Sequence, residues 1–376
     1  MTRTADLVVL SHLRWTFVWQ RPQHLISRLA EGRRAWFVEE PLATGVDRPR
    51  LCQADDGPVT RVWLEVPGPE RHIGFDDPVA AAYRDALPEL LAGADEVDAW
   101  LYTPLALGLA QSLRPSVLVY DVMDDLASFK NASRELKLRQ AQTLKAADVV
   151  FTGGRSLHRS VLQYRPKETH LFPSGVEPEH YATAVGRRRR RDRPVAGYVG
   201  VVDERLDLEL LADVAAALPD WDLHIVGPVA KIDAATLPMA PNISYFGARP
   251  YAALPGVMAS FDVALMPFAI NEATRSISPT KTLEYLAAGL PVVSTRVPDV
   301  VADYGHLVDL QDDGAGFAAA CRRVLAHDAD ERAYTAEPLL HWHHWDTIAS
   351  RMDAILAETR RAGVRAVVAQ GVEESA

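Results

Sequence analysis

The chain has 376 residues, of which 48% are hydrophobic and 24% are charged. This balance excludes an intrinsically disordered protein, and the length exceeds one ordinary hydrophobic core, so two domains are expected. A formal net charge of −10 argues against nonspecific binding of nucleic acid.

Cysteine usage and hydropathy bear on the cellular compartment. The two cysteines, Cys52 and Cys321, lie far apart in sequence, so neither a structural disulfide nor a thiolate metal site is expected. The N-terminus has no long apolar segment before a cleavage site, and no apolar run reaches the length of a membrane-spanning helix. We therefore expect a cytoplasmic protein, with any contact at the inner face of the membrane being peripheral.

The first half of the chain alternates short apolar runs with helical patterns. Strands are predicted at 6–10, 35–39, 62–67, 98–102, 116–120 and 149–153, and a turn at 47–50. Helices are predicted to end at Leu29 and to span 77–92 and 133–147. Strands that alternate with helices imply parallel sheets with right-handed crossovers, so this half is predicted to be an α/β domain.

The loop after the first predicted strand carries aromatic and basic side chains. It includes His12 and the run W-T-F-V-W-Q-R-P. Such a loop lies at the carboxyl end of a strand, where open α/β sheets bind ligands, so Trp19, Gln20 and Arg21 suit a sugar or a phosphate. The alternative is that Trp15 and Trp19 belong to the core and that Arg21 pairs with a carboxylate.

Acidic residues follow the strand predicted at 116–120. Asp121, Asp124 and Asp125 lie in the run Y-D-V-M-D-D. They are placed to orient acceptor hydroxyls or to stabilise positive charge on a sugar ring, and capping of the next helix is the alternative. One short cluster is a weak metal signal, so no metal site is predicted.

Five consecutive arginines occupy positions 187–191. Their mutual repulsion predicts a solvated linker, so we expect a first domain at 1–186, a linker at 187–193 and a second domain at 194–345. A contact of these arginines with anionic lipid headgroups is the alternative.

The second half repeats the α/β pattern. Strands are predicted at 195–200, 223–228, 243–247, 262–267, 291–295 and 306–308, and helices at 207–217, 280–288, 316–326 and 346–361. Gly200 and Gly227 end two of these strands and let the backbone approach a ligand closely. The histidines of H-W-H-H-W at 341–345 lack the spacing of a metal site, so aromatic anchoring of the last helix is expected.

The loop and helix after the strand at 262–267 carry the strongest pattern. Ser278-Pro279 is a helix-start signal. A helix N-terminus has unpaired N–H groups and partial positive charge, so Ser278, Thr280 and Lys281 form an anion site that fits a diphosphate. Glu284, one turn further on, is able to accept two hydrogen bonds from a ribose diol. The alternative is an amphipathic helix with solvated Lys281 and Glu284.

The run S-P-T-K-T-L-E-Y-L-A-A-G-L-P-V-V resembles the donor-nucleotide signature S-P-x-K-x-x-E-Y-x-A-x-G-x-P-V-V of retaining glycosyltransferases with the GT-B fold, in family four. The run W-x-x-x-W-Q-R-P is similar to the opening signature of the TuaH-like bacterial cell-surface polysaccharide branch. The resemblance implies two Rossmann-like domains that face one another across a cleft, with a terminal helix and tail at 346–376 crossing back to the first domain.

The same resemblance implies the reaction. A sugar would move from a nucleotide-diphosphate sugar, most often a UDP-sugar, to a glycan, lipid-linked or small-molecule acceptor with retention of configuration. The nucleotide sugar is a co-substrate, and no tightly bound cofactor and no metal are implied.

Individual roles follow from the resemblance. The donor-binding residues are Gly200, Gly227, Ser278, Pro279, Thr280, Lys281, Leu283 and Glu284. The residues assigned to catalysis are Asp121, Asp124, Arg205 and Lys281, of which Arg205 and Lys281 face the diphosphate. The residues assigned to the acceptor are His12, Trp19, Gln20 and Arg21.

The chain departs from the family pattern at a few positions. Ser276 replaces a second glutamate that many members carry, and Ser174 and Glu177 replace the more frequent asparagine and aspartate of N-G-V-D. Two other classes therefore stay open: an epimerase or hydrolase acting on a nucleotide sugar, and a non-catalytic partner subunit. No G-x-G-x-x-G follows the first strand, which argues against a dehydrogenase.

Overall fold

The computed structural model describes residues 5–126, 133–187, 191–272, 274–275, 277, 280–325 and 329–373. Backbone packing divides the chain into two compact units. One comprises Met1–Gly153, Leu157–Phe172 and Asp346–Ala376, and the other comprises Gly154–Ser156 and Pro173–Trp345. The second unit begins ahead of the linker predicted at 187–193, because Val176 and Tyr181 are buried in its hydrophobic core. Residues 188–190 lie outside the described part of the chain, so the linker stays a prediction.

The first unit contains a sheet of nine strands. The strands are β1 (Asp6–Ser11), β2 (Ala35–Glu39), β3 (Leu42–Ala43), β4 (Arg50–Asp56), β5 (Val59–Val66), β6 (Val97–Leu101), β7 (Val117–Val122), β8 (Val149–Thr152) and β9 (Thr169–Leu171). Their order is β3-β5-β2-β1-β6-β7-β8-β9, with β4 paired to β5. Every residue of β1, β2, β7 and β8 is buried, as expected of parallel strands that are covered on both faces.

The hairpin formed by β4 and β5 differs from the prediction. A turn was expected at 47–50 and a strand only from Val62, whereas β4 begins at Arg50 and pairs antiparallel with β5 along its whole length. Gly57, with a φ of 61°, lies in the connection between the strands. The polar composition of β4, R-L-C-Q-A-D-D, conceals this strand from a search for apolar runs, because its side chains are mostly half-buried or exposed.

Among the described residues, five α-helices connect these strands. They are α1 (Arg21–Leu29), α2 (Ala82–Leu90), α3 (Leu107–Ser112), α4 (Arg134–Ala146) and α5 (Arg155–Leu162). The predicted helix at 77–92 is divided into a 3₁₀ helix, Pro78–Ala81, and α2. Asp77 caps the 3₁₀ helix by accepting a hydrogen bond from the Val79 amide at 3.0 Å. Ser133 caps α4 in the same way through the Leu136 amide at 3.0 Å.

The second unit contains a six-stranded sheet. Its strands are β10 (Val195–Val199), β11 (Asp222–Val226), β12 (Ile243–Tyr245), β13 (Val263–Met266), β14 (Val292–Ser294) and β15 (Asp309–Leu310), in the order β12-β11-β10-β13-β14-β15. All of the pairings are parallel. The strand predicted at 306–308 is wrong, because the amides of Leu307 and Val308 bond to the Tyr304 carbonyl in a helix-ending turn.

Seven helices belong to this unit within the described residues. They are α6 (Pro178–Ala182), α7 (Leu208–Ala217), α8 (Leu254–Met258), α9 (Thr280–Ala287), α10 (Pro298–Tyr304), α11 (Gly314–Val324) and α12 (Ala329–Trp342). Gly289 follows α9 with a φ of +68°, the left-handed conformation that commonly ends a helix. The prediction of a helix that starts at Thr280 and is closed by this glycine is therefore confirmed.

The last helix, α13 (Trp345–Glu373), packs with the first unit from Asp346 onward. Asp353 pairs with Arg33 at 2.7 Å, and Arg360 pairs with Asp98 at 3.2 Å. The prediction that the terminal helix returns to the first domain is confirmed, and its backbone stays helical as far as Glu373, within the segment predicted as a tail. Within the ranges given above, no helix combines the length and the apolar content needed to cross a membrane.

We expect the Asp98 carboxylate to be essential for the stability of the first unit. Asp98 is fully buried and lies 3.8 Å from the Arg33 guanidinium and 3.2 Å from that of Arg360. Asp98→Asn removes the buried carboxylate that pairs with Arg360 and one of the two carboxylates beside Arg33, which costs about 3–5 kcal/mol. Urea denaturation should show this decrease in the free energy of unfolding.

Asp353→Asn is the matched control. The Asp353 side chain is 45% exposed, and exposed ion pairs contribute about 1 kcal/mol or less. Equal losses in the two variants would contradict the role assigned to Asp98.

Candidate functional site

Helix α9 is tied to the carboxyl edge of the second sheet. The Tyr285 hydroxyl accepts a hydrogen bond from the Val199 amide at 2.7 Å and lies 3.3 Å from the Val199 carbonyl oxygen, at the end of β10. Leu283 and Tyr285 are fully buried. The side chain of Leu283, predicted to bind the donor, is therefore part of the hydrophobic core and holds the helix in place.

Lys281 and Glu284 form an ion pair near the start of α9. The Lys281 Nζ lies 2.6 Å from the Glu284 Oε2, and the two side chains are 22% and 10% exposed. The alternative of two solvated charges therefore does not describe this helix. Thr280 is its first residue and is half-buried, whereas Ser276, Ser278 and Pro279 lie outside the described residues.

Gly200 and Gly227 bring two strand ends into very close contact. Gly227 has a φ of +153°, and a Cβ atom added there would lie 1.7 Å from the Gly200 carbonyl oxygen. The Gly227 amide donates to the Gly247 carbonyl at 2.9 Å, so the end of β12 joins the same region. Only glycine fits at position 227, and main-chain atoms form this part of the sheet edge.

Arg205 lies in the loop after β10, where it is held by an acidic neighbour. Its Nε atom donates to both carboxylate oxygens of Asp203 at 3.0 and 3.1 Å, and its side chain is 31% exposed. The Ala269 amide donates to the Arg205 carbonyl at 2.9 Å. The loops after β10 and β13 are thereby joined, which brings the segment of Arg205 to the loop that precedes α9.

Tyrosines and a carboxylate that the sequence did not mark lie near Glu284. The Tyr251 hydroxyl donates to the Glu177 carboxylate at 2.5 Å, and the His180 ring stacks on the Tyr251 ring at 4.2 Å. Burial, followed by the charge of Glu284, raises the pKa of Tyr181 well above its usual value. Glu177 was noted only as a departure from N-G-V-D, and no local pattern marks Tyr251, which is 74 residues away.

In the first unit, Arg21 and Asp121 are engaged with each other. Arg21 donates through Nε and Nη2 to both Asp121 oxygens at 2.9–3.2 Å, and its Nη1 donates to the Phe172 carbonyl at 2.9 Å. The two side chains are 2% and 0% exposed. Arg21 was assigned to the acceptor and Asp121 to catalysis, but this burial instead favours the alternative in which Arg21 pairs with a carboxylate.

The other residues predicted for the acceptor site occupy the loop between β1 and α1. The Trp19 Nε1 donates to the His24 Nδ1 at 3.2 Å, and Trp19 is 39% exposed, whereas Trp15 is buried. Gln20 is the N-cap residue of α1 and forms a capping box with Gln23. His12 is half-buried, as is Asp124 after β7. Trp19 thus presents part of its ring to ligands, and Gln20 has a structural role as well.

No metal site appears in the part of the chain that the structure describes, since it holds no suitable group of three or more His, Cys, Asp or Glu side chains. In the segment H-W-H-H-W, Trp345 is fully buried, and the His343 Nδ1 lies 3.2 Å from the Ser174 carbonyl. These contacts agree with the predicted anchoring role.

The sequence matches known proteins over its second half and over part of its length. Residues 193–327 match the family model described as Glycosyl transferases group 1. A Bacillus subtilis (strain 168) protein named "Putative teichuronic acid biosynthesis glycosyltransferase TuaH" is 28% identical over 210 residues, which make up 52% of this chain and 53% of that protein. The chain therefore spans about half the length of this curated relative.

Solved structures resemble the whole chain. Sucrose-phosphate synthase from Thermosynechococcus elongatus has a TM-score of 0.73 at 15% identity, covering 96% of this chain and 100% of that one. Anabaena HepE in complex with UDP and glucose has a TM-score of 0.70 at 15% identity, covering 94% and 100%. The E. coli trehalose-6-phosphate structure bound with UDP-2-fluoro glucose has a TM-score of 0.67 at 14% identity, covering 95% and 99%. The predicted GT-B fold is thus confirmed.

We expect the Arg21–Asp121 pair to be structural. Asp121→Asn removes one partner of a fully buried pair, so the free energy of unfolding should fall by about 3–5 kcal/mol in urea denaturation. Asp124→Asn, at a half-buried position, is the control and should lose less. If Asp121→Asn kept its stability but abolished activity, the catalytic assignment would be restored.

We also expect Gly227 to be irreplaceable. Gly227→Ala places a methyl group against the Gly200 carbonyl, so overpacking adds to backbone strain and the loss should reach about 3 kcal/mol or more. Gly247→Ala is the control, because Gly247 has a φ of +65° but no atom within 4 Å of an added Cβ. Its loss should stay near 1 kcal/mol, measured by thermal unfolding. Equal losses would show that the close contact is unimportant.

Proposed function

Starting from the GT-B fold and the group 1 match of residues 193–327, we propose that this chain is a retaining glycosyltransferase. It transfers a hexosyl-type sugar from a nucleotide-diphosphate sugar to a glycan, lipid-linked or small-molecule acceptor. The observation that carries this proposal is the Lys281–Glu284 pair, which lies near the start of α9 in a helix bonded to the end of β10. A nucleotide sugar carries both groups that such a pair recognises, a diphosphate and a ribose diol.

The donor site would use complementary charges. Lys281 and the N–H groups at the start of α9 attract the diphosphate, and Glu284 accepts hydrogen bonds from the ribose hydroxyls. Arg205 lies in the loop joined to the segment before α9 and supplies a second cation. These positive groups stabilise the negative charge that grows on the leaving diphosphate, which is the electrostatic contribution that usually dominates such catalysis.

The transfer needs no nucleophile from the protein. The bond between the anomeric carbon and the diphosphate oxygen breaks, and the acceptor oxygen bonds to that carbon on the same face. The acceptor proton passes to the departing diphosphate oxygen, so configuration is retained and atoms balance. This course of reaction is supported by the resemblance of the α9 motif to retaining enzymes, and it requires neither a metal nor a bound cofactor.

UDP is the nucleotide we propose, because two of the similar structures carry UDP or a UDP-sugar in their names. The TuaH relative supports a cell-surface polysaccharide or its lipid-linked precursor as the acceptor. A lipid-linked acceptor would be reached by peripheral contact at the inner face of the membrane. A thermal-shift screen across UDP-, GDP-, ADP- and dTDP-sugars tests the nucleotide.

Substitutions at the ion pair test the donor site. Glu284→Ala should raise the donor KM strongly, by about 10- to 100-fold, because hydrogen bonds to a charged group are lost. Lys281→Ala should also lower kcat, because charge on the leaving group is no longer neutralised. Steady-state kinetics with a UDP-sugar measures both effects.

The control for these variants is Glu272→Ala. Glu272 is an exposed carboxylate that forms a surface ion pair with Arg275. Its removal should therefore leave the kinetics unchanged. Normal kinetics in both Glu284→Ala and Lys281→Ala would refute the site. Conversion of the donor without acceptor would indicate the epimerase or hydrolase, and absence of nucleotide binding in calorimetry would indicate the non-catalytic subunit.

A further inference from the structure

A buried tyrosine hydroxyl on α6 has no hydrogen-bond partner among the described residues, and the proposed donor carboxylate of Glu284 is near enough for its charge to help raise the pKa of this tyrosine. Tyr181, on α6, is 1% exposed, and its hydroxyl oxygen makes no hydrogen bond among the described residues. Helix α6 packs against α9, which carries Glu284. Burying a hydroxyl without a partner costs about 1–3 kcal/mol, so such a group calls for an explanation.

The charge of Glu284 is compensated in this structure by Lys281. Its side chain is 10% exposed, and its Oε2 lies 2.6 Å from the Lys281 Nζ. In the proposed donor complex, Lys281 turns to the diphosphate. A carboxylate this deeply buried is costly when its cation leaves, unless another donor takes up the hydrogen bond.

We propose that Tyr181 is a positioning residue that donates its hydroxyl proton to the Glu284 carboxylate when Lys281 engages the diphosphate. This inference rests on the proposed function and deepens it. The tyrosine then keeps the Glu284 carboxylate oriented toward the ribose diol, while the lysine contacts the diphosphate.

The surroundings of Tyr181 suit this role. Its ring meets the Tyr251 ring edge-to-face at 6.0 Å, and the Tyr251 ring is stacked in turn on His180. The Tyr251 hydroxyl already donates to Glu177 at 2.5 Å. The rings hold Tyr181 in one orientation. Because the Tyr251 hydroxyl already donates its proton to Glu177, the Tyr181 hydroxyl is the one that can donate to Glu284.

Calorimetry with UDP on the full-length chain tests the inference. Tyr181→Phe removes only the hydroxyl, and a hydrogen bond to a charged group accounts for about a 10- to 100-fold change in Kd. We therefore expect the Kd for UDP to rise by about that factor with little change in Tm. A loss of the folded state in Tyr181→Phe would show a structural role and overturn the inference.

A double-mutant cycle separates positioning from packing. In a Glu284→Gln background, Tyr181→Phe should weaken UDP binding by less than about threefold, because the hydroxyl then has only a neutral acceptor. Additive effects would contradict the proposal. Tyr83→Phe is the control, since it removes a buried hydroxyl that donates to the Glu39 carbonyl at 2.6 Å in the first unit and should leave the Kd unchanged.

The outcomes distinguish this inference from the function on which it rests. If the wild type binds UDP and Tyr181→Phe binds it equally well, the inference alone fails. If the wild type binds none of the four nucleotide sugars named above, the proposed function fails and the inference falls with it.

Discussion

The ion pair between Lys281 and Glu284 is the interaction on which the proposed donor site depends, and its position is set by the packing of α9. Leu283 and Tyr285 fix the helix against the core, and the Tyr285 hydroxyl fixes it to the main chain of β10. Two opposite charges are therefore held side by side in a place with little solvent. Each compensates the other, and in the proposed donor complex an anionic group and a pair of hydroxyls replace both contacts.

The two ion pairs at the carboxyl edges of the two sheets differ in how exposed their side chains are. Lys281 and Glu284 retain 22% and 10% exposure, so a ligand is able to reach them. Arg21 and Asp121 retain 2% and 0% and also fix the Phe172 carbonyl, so exchange with a ligand would leave buried charges uncompensated. The first pair is suited to recognition, and the second ties α1 to the ends of β7 and β9.

Sequence patterns located most of the fold because the parallel strands are buried on both faces and read as apolar runs. The same logic misplaced β4, whose polar side chains alternate, and the short strand β15, which begins at Asp309. For the proposed site, the α9 motif pointed to Lys281 and Glu284, which the structure shows as an ion pair. Local sequence patterns could not predict the contacts between distant positions, since the partners of Arg21 and Tyr251 lie 100 and 74 residues away.

The contact between Gly200 and Gly227 limits which residues at this sheet edge can change in sequence. Main-chain atoms form that part of the sheet edge, and they stay the same whatever side chains change around them. In the proposed donor site, a new nucleotide preference is therefore expected to arise from side chains such as those of residues 246–249, which are all exposed at the end of β12. The main chain at Gly200 and Gly227 thus stays the same, and side chains of the adjoining loop are the ones that can change.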